Sequence, residues 1–211
     1  MIPAADALAR LREGNRRFVS DRHRKRRPGQ SRRNELVEGQ APFAIILGCS
    51  DSRVPAEIVF DQGLGDLFVI RVAGNVVAPS QIGSVEFAAE RFGTRLVVVL
   101  GHSLCGAVVA TLEELERPTE MRSPNLASIV DRIRPSVEGL LEIGGGHDRD
   151  ALVGHAVRAN IRASVDHPRH GSAILERLID SHDLLVVGAE YSLESGVVDF
   201  FGDPPTGARS D

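Results

Sequence analysis

The sequence predicts an α/β domain: a mostly parallel four-stranded sheet, a short antiparallel edge strand, helices on both faces and an N-terminal helical arm. Three observations predict it. Four apolar runs, Phe43 to Cys49, Leu67 to Val72, Leu96 to Leu100 and Leu184 to Val187, are rich in β-branched residues and lack polar alternation. Strands covered on both faces read that way. Helical patterns separate these runs, as a parallel sheet requires. Finally, Cys49 and Cys105 each lie at or just beyond the C-terminal tip of a run, where open α/β sheets gather their binding groups.

Each element has its own signal. Ala4 to Val19 sets Ala4, Leu8, Leu11 and Phe18 among Arg and Glu, an amphipathic helix. The basic stretch Arg22 to Gly29 follows and ends in Pro28-Gly29, which reads as a solvated loop or arm. Between the first two strands, Gly63-Leu64-Gly65-Asp66 precedes a strand instead of joining strand to helix, so it reads as a turn and not a phosphate loop. Pro79 to Phe92 opens on Pro-Ser and stops at Gly93, and Cys105 to Glu116 follows the third strand directly. Ser123-Pro124 opens a helix to about Ile143, Gly144-Gly145-Gly146 breaks it, and helices over roughly Asp150 to Val165 and Arg169 to Ser181 lead to the fourth strand. A turn at Ser195-Gly196 returns Gly196 to Phe201 as the edge strand. At 211 residues the chain suits one domain over 1–211, with 1–40 as the arm and 202–211 as a loose tail.

Composition narrows the function classes. A net charge of −4 gives no global reason to expect nucleic-acid or membrane partners, and the basic stretch has no interleaved aromatic residue. No apolar stretch reaches membrane-spanning length and no apolar leader follows Met1, so a cytoplasmic location is expected. Two cysteines far apart in sequence could form one disulfide, but a reducing compartment disfavours it. Metal ligation or buried free thiols are the better readings.

Alone, either cysteine is most simply a small buried hydrophobe. Their surroundings change that reading. Cys49 opens Cys49-Ser50-Asp51-Ser52-Arg53, in which a loop turns Asp51 and Arg53 to the same side for bidentate pairing. Cys105 closes His102-Ser103-Leu104-Cys105 between Gly101 and Gly106, a tight turn that puts the thiol at a helix N-terminus where a thiolate is stabilised. Two thiolates, one imidazole and one carboxylate match the preferences of zinc.

Together these motifs resemble the β-class carbonic anhydrases. The resemblance rests on Cys49 to Arg53 with Val54-Pro55, on Arg71-Val72-Ala73-Gly74-Asn75, and on Gly101 to Gly106. It extends to Leu11 through Val19 and to Tyr191 through Gly196, nearly the whole chain. It implies reversible hydration of carbon dioxide to bicarbonate and a proton. One zinc would be held by Cys49, His102 and Cys105, with water or hydroxide in the fourth position. Two thiolates cancel the formal charge of the ion, which favours activity in mildly alkaline conditions. Asp51, pinned by Arg53, would orient the nucleophile. In a closed state Asp51 would instead leave Arg53 and become the fourth ligand, and an open site is the expectation here.

Further residues follow from the same resemblance. Gln40, Phe68, Phe87 and Gly106 would line the substrate pocket, with Phe87 where a tyrosine is usual, which leaves the pocket more apolar. Arg71 and Tyr191 match two residues of an allosteric bicarbonate pocket, but Ile46 stands in place of its tryptophan and the chain has no Trp. Pocket walls from two subunits imply a homodimer or higher even assembly, with the N-terminal helix packed on its neighbour and Gln40 facing Phe68 and Phe87 across the boundary. His23, His147, His155, His167, His170 and His182 read as surface or capping residues, one of which could serve as proton shuttle. Two alternatives stay open: a hydrolase of carbonyl sulfide or carbon disulfide on the same scaffold, and a non-catalytic zinc or thiol sensor, against which the Asp51–Arg53 pair argues.

Overall fold

A computed structural model describes residues 2–23, 29–118, 123–143 and 148–202. Most of the basic stretch, the glycine break at 144–146, His147 and the tail beyond Gly202 lie outside them. In chain order the elements are α1 (Ala4–Val19), α2 (Gln30–Glu35), β1 (Ala44–Cys49), α3 (Ala56–Val59), β2 (Leu67–Val72), a short 3-10 turn (Ala73–Asn75), α4 (Pro79–Arg91) and β3 (Leu96–His102). There follow α5 (Gly106–Glu116), α6 (Pro124–Ile143), α7 (Arg149–His170), α8 (Ala173–Asp180), β4 (Leu185–Tyr191) and β5 (Val198–Phe201).

The sheet runs in the order β2-β1-β3-β4-β5; the first four strands are parallel, and β5 pairs antiparallel with β4. This is the architecture the sequence predicts. Side chains alternate between the faces of each strand. Ile45, Leu47, Val97 and Val99 enter a core with α4 to α8, while Ile46, Val98 and Leu100 enter a second core under α1 and α3. Both faces are therefore buried, which is why the strands read as continuous apolar runs.

Several boundaries differ from the sequence reading. The predicted break between Val165 and Arg169 is absent: α7 runs through Pro168 to His170. Proline in the last turn forfeits one backbone bond to residue i−4, and buried Pro168 packs where it stands. The chain breaks instead at Gly171-Ser172, where the Ser172 hydroxyl accepts from the Leu175 amide at 3.2 Å and caps α8. β4 extends past Val187 to Tyr191, because Gly188 to Tyr191 pair with Val99 to His102 of β3. β5 begins at Val198, since Gly196 at φ +74° belongs to the turn.

The N-terminal helix is anchored within its own chain. Ala7, Leu8 and Leu11 bury the apolar stripe of α1 in its own chain's second core, with Phe60 and Leu100. Two residues lock this packing. A Cβ added at Gly14 would lie 1.8 Å from the Phe60 carbonyl oxygen. Buried Asn15 donates to the carbonyls of Val59 (3.2 Å) and Gly196 (2.9 Å), and accepts from the Val198 amide at 2.9 Å. Gly14→Ala is expected to cost about 3 kcal/mol, the upper range of overpacking against unyielding atoms. Asn15→Ala should cost at least about 1–3 kcal/mol by leaving buried backbone groups unpaired. Denaturant unfolding checks both, and a change below about 0.5 kcal/mol in either would refute this account of the arm.

Candidate metal centre

The strand order decides where the site lies. From β1 the chain places β2 on one side and then crosses to place β3 on the other, so β1 and β3 flank the point where strand order reverses. A crevice opens there at the carboxyl ends of parallel strands. Cys49 is the last residue of β1, His102 the last of β3, and Cys105 the residue that precedes α5. Their ligand atoms all lie within 4.8 Å of one another, and all three residues are buried.

The turn between His102 and Cys105 is held from three sides. Leu104 adopts a left-handed φ of +55°, uncommon for a non-glycine residue, which reverses the chain so that both ligands point inward. The Ser103 amide donates to the Tyr191 carbonyl at 2.9 Å, and its hydroxyl accepts from the Leu193 amide at 2.9 Å. The His102 Nδ1 lies 2.9 Å from the Ser103 carbonyl. A carbonyl only accepts, so Nδ1 carries the proton and Nε2 keeps its lone pair. Nε2 is buried and finds no hydrogen-bond partner among the described residues. A buried lone pair without a partner is costly, unless a metal ion receives it.

The sulfurs complete the donor set. Cys49 and Cys105 are free thiols with Sγ atoms 4.0 Å apart. That is too far for a disulfide and close to the separation of about 3.8 Å that a tetrahedral ion with Zn–S of about 2.3 Å imposes. The pair titrates together. The hydrogen bond from Cys105 pushes the Cys49 thiol down to about 4 against its burial, with help from the amides of Asp51 and Gly74. Cys105 is pushed up by the same hydrogen bond to Cys49, then by burial and the Cys49 charge. One thiolate and one thiol sharing a proton is an arrangement in which a divalent cation would replace that proton. The residues present fit a soft divalent metal, zinc by donor type.

Asp51 and Arg53 meet as the sequence predicts. Arg53 donates from Nε and a terminal nitrogen to the two Asp51 oxygens at 2.9 and 2.8 Å, and its amide adds a third bond at 2.9 Å. The Arg53 guanidinium holds the Asp51 carboxyl well below the usual carboxylate range, and Asp51 in turn raises Arg53. Asp51 Oδ2 stands 3.8 Å from His102 Nε2, beyond hydrogen-bond reach but at the edge of the cluster. Asp51 therefore sits on Arg53.

The remaining expected residues fall into two groups. Gly106 is the exposed first residue of α5, beside Cys105. Phe68 and Phe87 pack at 6.3 Å between ring centres, joined by Phe92. Gln40 is exposed between α2 and β1. Arg71 does work that the sequence did not suggest: it donates to the carbonyls of Cys49 at 3.0 Å and Asp51 at 2.6 Å and so braces the loop between them. Ile46 is fully buried, and burial raises the Tyr191 phenol. His155, His167, His170 and His182 are exposed, and His23 sits against Phe18, so none of these joins the cluster.

Comparison with known proteins agrees with this geometry. A family model described as carbonic anhydrase matches residues 44–198. Carbonic anhydrase 2 of Mycobacterium tuberculosis is 38% identical over 186 residues, covering 88% of this chain and 87% of the relative. The solved β-carbonic anhydrase CcaA superposes with a TM-score of 0.75 at 25% identity, over 92% of this chain and 94% of that one. A tetrameric β-carbonic anhydrase from the ascomycete Sordaria macrospora shares the fold, with a TM-score of 0.72 at 24% identity over 80% of this chain and 85% of that one. The general reaction of such enzymes is carbon dioxide hydration, and by both its relatives and its site this chain belongs to the β-class carbonic anhydrase family.

Proposed function

We propose that the chain converts carbon dioxide and water reversibly to bicarbonate and a proton at one zinc per subunit, held by Cys49, His102 and Cys105. The observation that carries this reading is the convergence of two buried sulfurs and an unpartnered buried imidazole nitrogen beside an arginine-clamped carboxylate. When bound, zinc would supply a water acidified enough to attack carbon dioxide near neutral pH. Asp51 aligns that nucleophile. Ionised and fixed in one rotamer by Arg53, its carboxylate can only accept a hydrogen bond, and so would take one from the O–H of a water held by the three ligands. Arg53 also keeps Asp51 from closing on the three ligands as a fourth. Phe68 and Phe87 provide an apolar wall suited to an uncharged linear substrate, with Gly106 leaving space at the helix start.

Stopped-flow hydration of carbon dioxide across pH, on protein with quantified metal, tests the proposal. Activity should scale with bound zinc, and zinc-loaded protein inert at neutral and alkaline pH would overturn it. The Asp51 carboxyl is held low, so its pairing with Arg53 contributes stability above the unfolded carboxyl's pKa of about 4, lost only as pH falls through the lower folded value. Activity should therefore show no inflection from Asp51 above about pH 5.

The same reading makes the enzyme a homodimer or a higher even assembly in which the pocket is completed across an isologous boundary by Gln40 facing Phe68 and Phe87. Two exposures support it: Phe87 is 53% exposed and Val37, near Gln40, 82%. The tetrameric relative supports it too. Sedimentation combined with activity checks it, and a fully active monomer would rule it out. The cytoplasm is the compartment proposed, since both cysteines are free and would be kept as thiols there. Among the described residues no helix is long and apolar enough to cross a membrane.

A further inference from the structure

Helix α7 reaches both halves of the metal centre from beneath, though none of its residues belongs to it. Asn160, 2% exposed, donates from its amide nitrogen to the Gly74 carbonyl at 2.8 Å. One helical turn on, Ser164 meets the Asn75 side chain at 3.5 Å, so residues i and i+4 of one helix face grip consecutive residues of the turn after β2. That turn is conformationally demanding: Gly74 has φ +70° and Asn75 +46°. A Cβ at Gly74 would come within 2.8 Å of Ile133 and 3.0 Å of Ala107. Its purpose is visible at the other end. The Gly74 amide donates to Cys49 Sγ at 3.4 Å. Between Asn160 and Ser164, Ile161 packs against Gly101, next to His102, where a Cβ would meet it at 2.5 Å.

We propose that Asn160 is a positioning residue of the metal centre: its amide holds the Gly74 carbonyl, fixing a left-handed turn whose N–H is thereby aimed at the Cys49 sulfur. The inference rests on the metal-centre reading above and adds a residue 111 positions downstream of the sulfur it serves. A sulfur ligand that accepts an N–H bond is held at one orientation with part of its charge neutralised, and outer partners of this kind govern metal affinity. Leucine at 160 would keep the branching and the number of heavy atoms and lose the donor, leaving the Gly74 carbonyl buried without a partner and the turn free to rotate its amide off Cys49.

The test uses the full chain, stripped of metal and titrated with zinc against a chelator of known affinity, then loaded with cobalt(II) for its thiolate charge-transfer spectrum. Asn160→Leu should bind zinc about 10- to 100-fold more weakly and shift the charge-transfer band. Val157→Ala, a core truncation on the same helix, should lower the melting temperature and leave that band in place. A wild-type protein that binds no zinc, or gives no thiolate band with cobalt, refutes the metal centre itself. A wild-type protein that binds zinc, with affinity and band unchanged in Asn160→Leu, refutes the positioning role alone. A second measurement needs no variant: in cadmium-113-substituted wild-type protein the Gly74 amide proton should show scalar coupling to the metal through the N–H···S bond. Its absence would overturn the proposal even if Asn160→Leu did not fold.

Discussion

Replacing Cys49 or Cys105 by alanine is expected to remove bound zinc and carbon dioxide hydration together. In the proposed ligand set each sulfur is one of three protein ligands, so the deficit should exceed the about 10- to 100-fold cost of disturbing a mere outer partner. The two losses must coincide, because the two donors that remain make up only half of a tetrahedral site. Cys49 stands at a strand tip and Cys105 at a helix start, both buried at 5% exposure or less, so neither truncation is relieved by a neighbouring ligand moving in. Asp51 lies near enough to substitute, but three bonds from Arg53 hold it elsewhere. Metal analysis by mass spectrometry alongside stopped-flow hydration reads both quantities. Stoichiometric zinc in either variant would refute the ligand assignment.

Asp51→Ala should separate metal binding from chemistry. Zinc should stay bound while hydration falls by about 100- to 1000-fold, the usual cost of removing one preorganised hydrogen-bond partner of a reacting group. Arg53→Ala should also be impaired by a different route. Freed of its clamp, the Asp51 carboxylate needs to travel only a short way to close on the cluster, since Oδ2 already lies 3.8 Å from His102 Nε2. A structure of zinc-loaded Arg53→Ala should show that closure, and one of the wild-type enzyme at neutral or higher pH should show Asp51 still on Arg53. With Ile46 buried in place of a pocket tryptophan, and Arg71 engaged on the Cys49 and Asp51 carbonyls, the balance should respond little to bicarbonate. An unchanged rate in Asp51→Ala would refute the aligning role, and a sensor that binds zinc without chemistry would then be the better reading.

What the sequence determined by itself is whatever depends on local order. Apolar runs without alternation specify strands buried on both faces, so the parallel sheet and its edge strand were legible, as were the turn at Gly63 to Asp66 and the starts of α4, α5 and α6. The pairing of Asp51 with Arg53 was equally legible, because two residues in one loop meet through local geometry. The sequence could not place elements whose limits are set by neighbours. β4 reaches Tyr191 because β3 offers it a ladder, and α7 passes Pro168 because a late proline costs one bond while its packing remains. Nor could an amphipathic stripe on α1 say whose core it would join, since burial of apolar surface has no direction.

The tertiary structure alone decided how the site residues named in the sequence are brought together. Cys49 and His102 converge because the sheet order sets β1 beside β3 with a crevice between them. Arg71, Gly74 and Asn160 join it through bonds spanning 22, 25 and 86 residues; a motif marks Arg71 and Gly74, but which groups they bond, and the part of Asn160 altogether, are set by contacts between elements far apart in sequence.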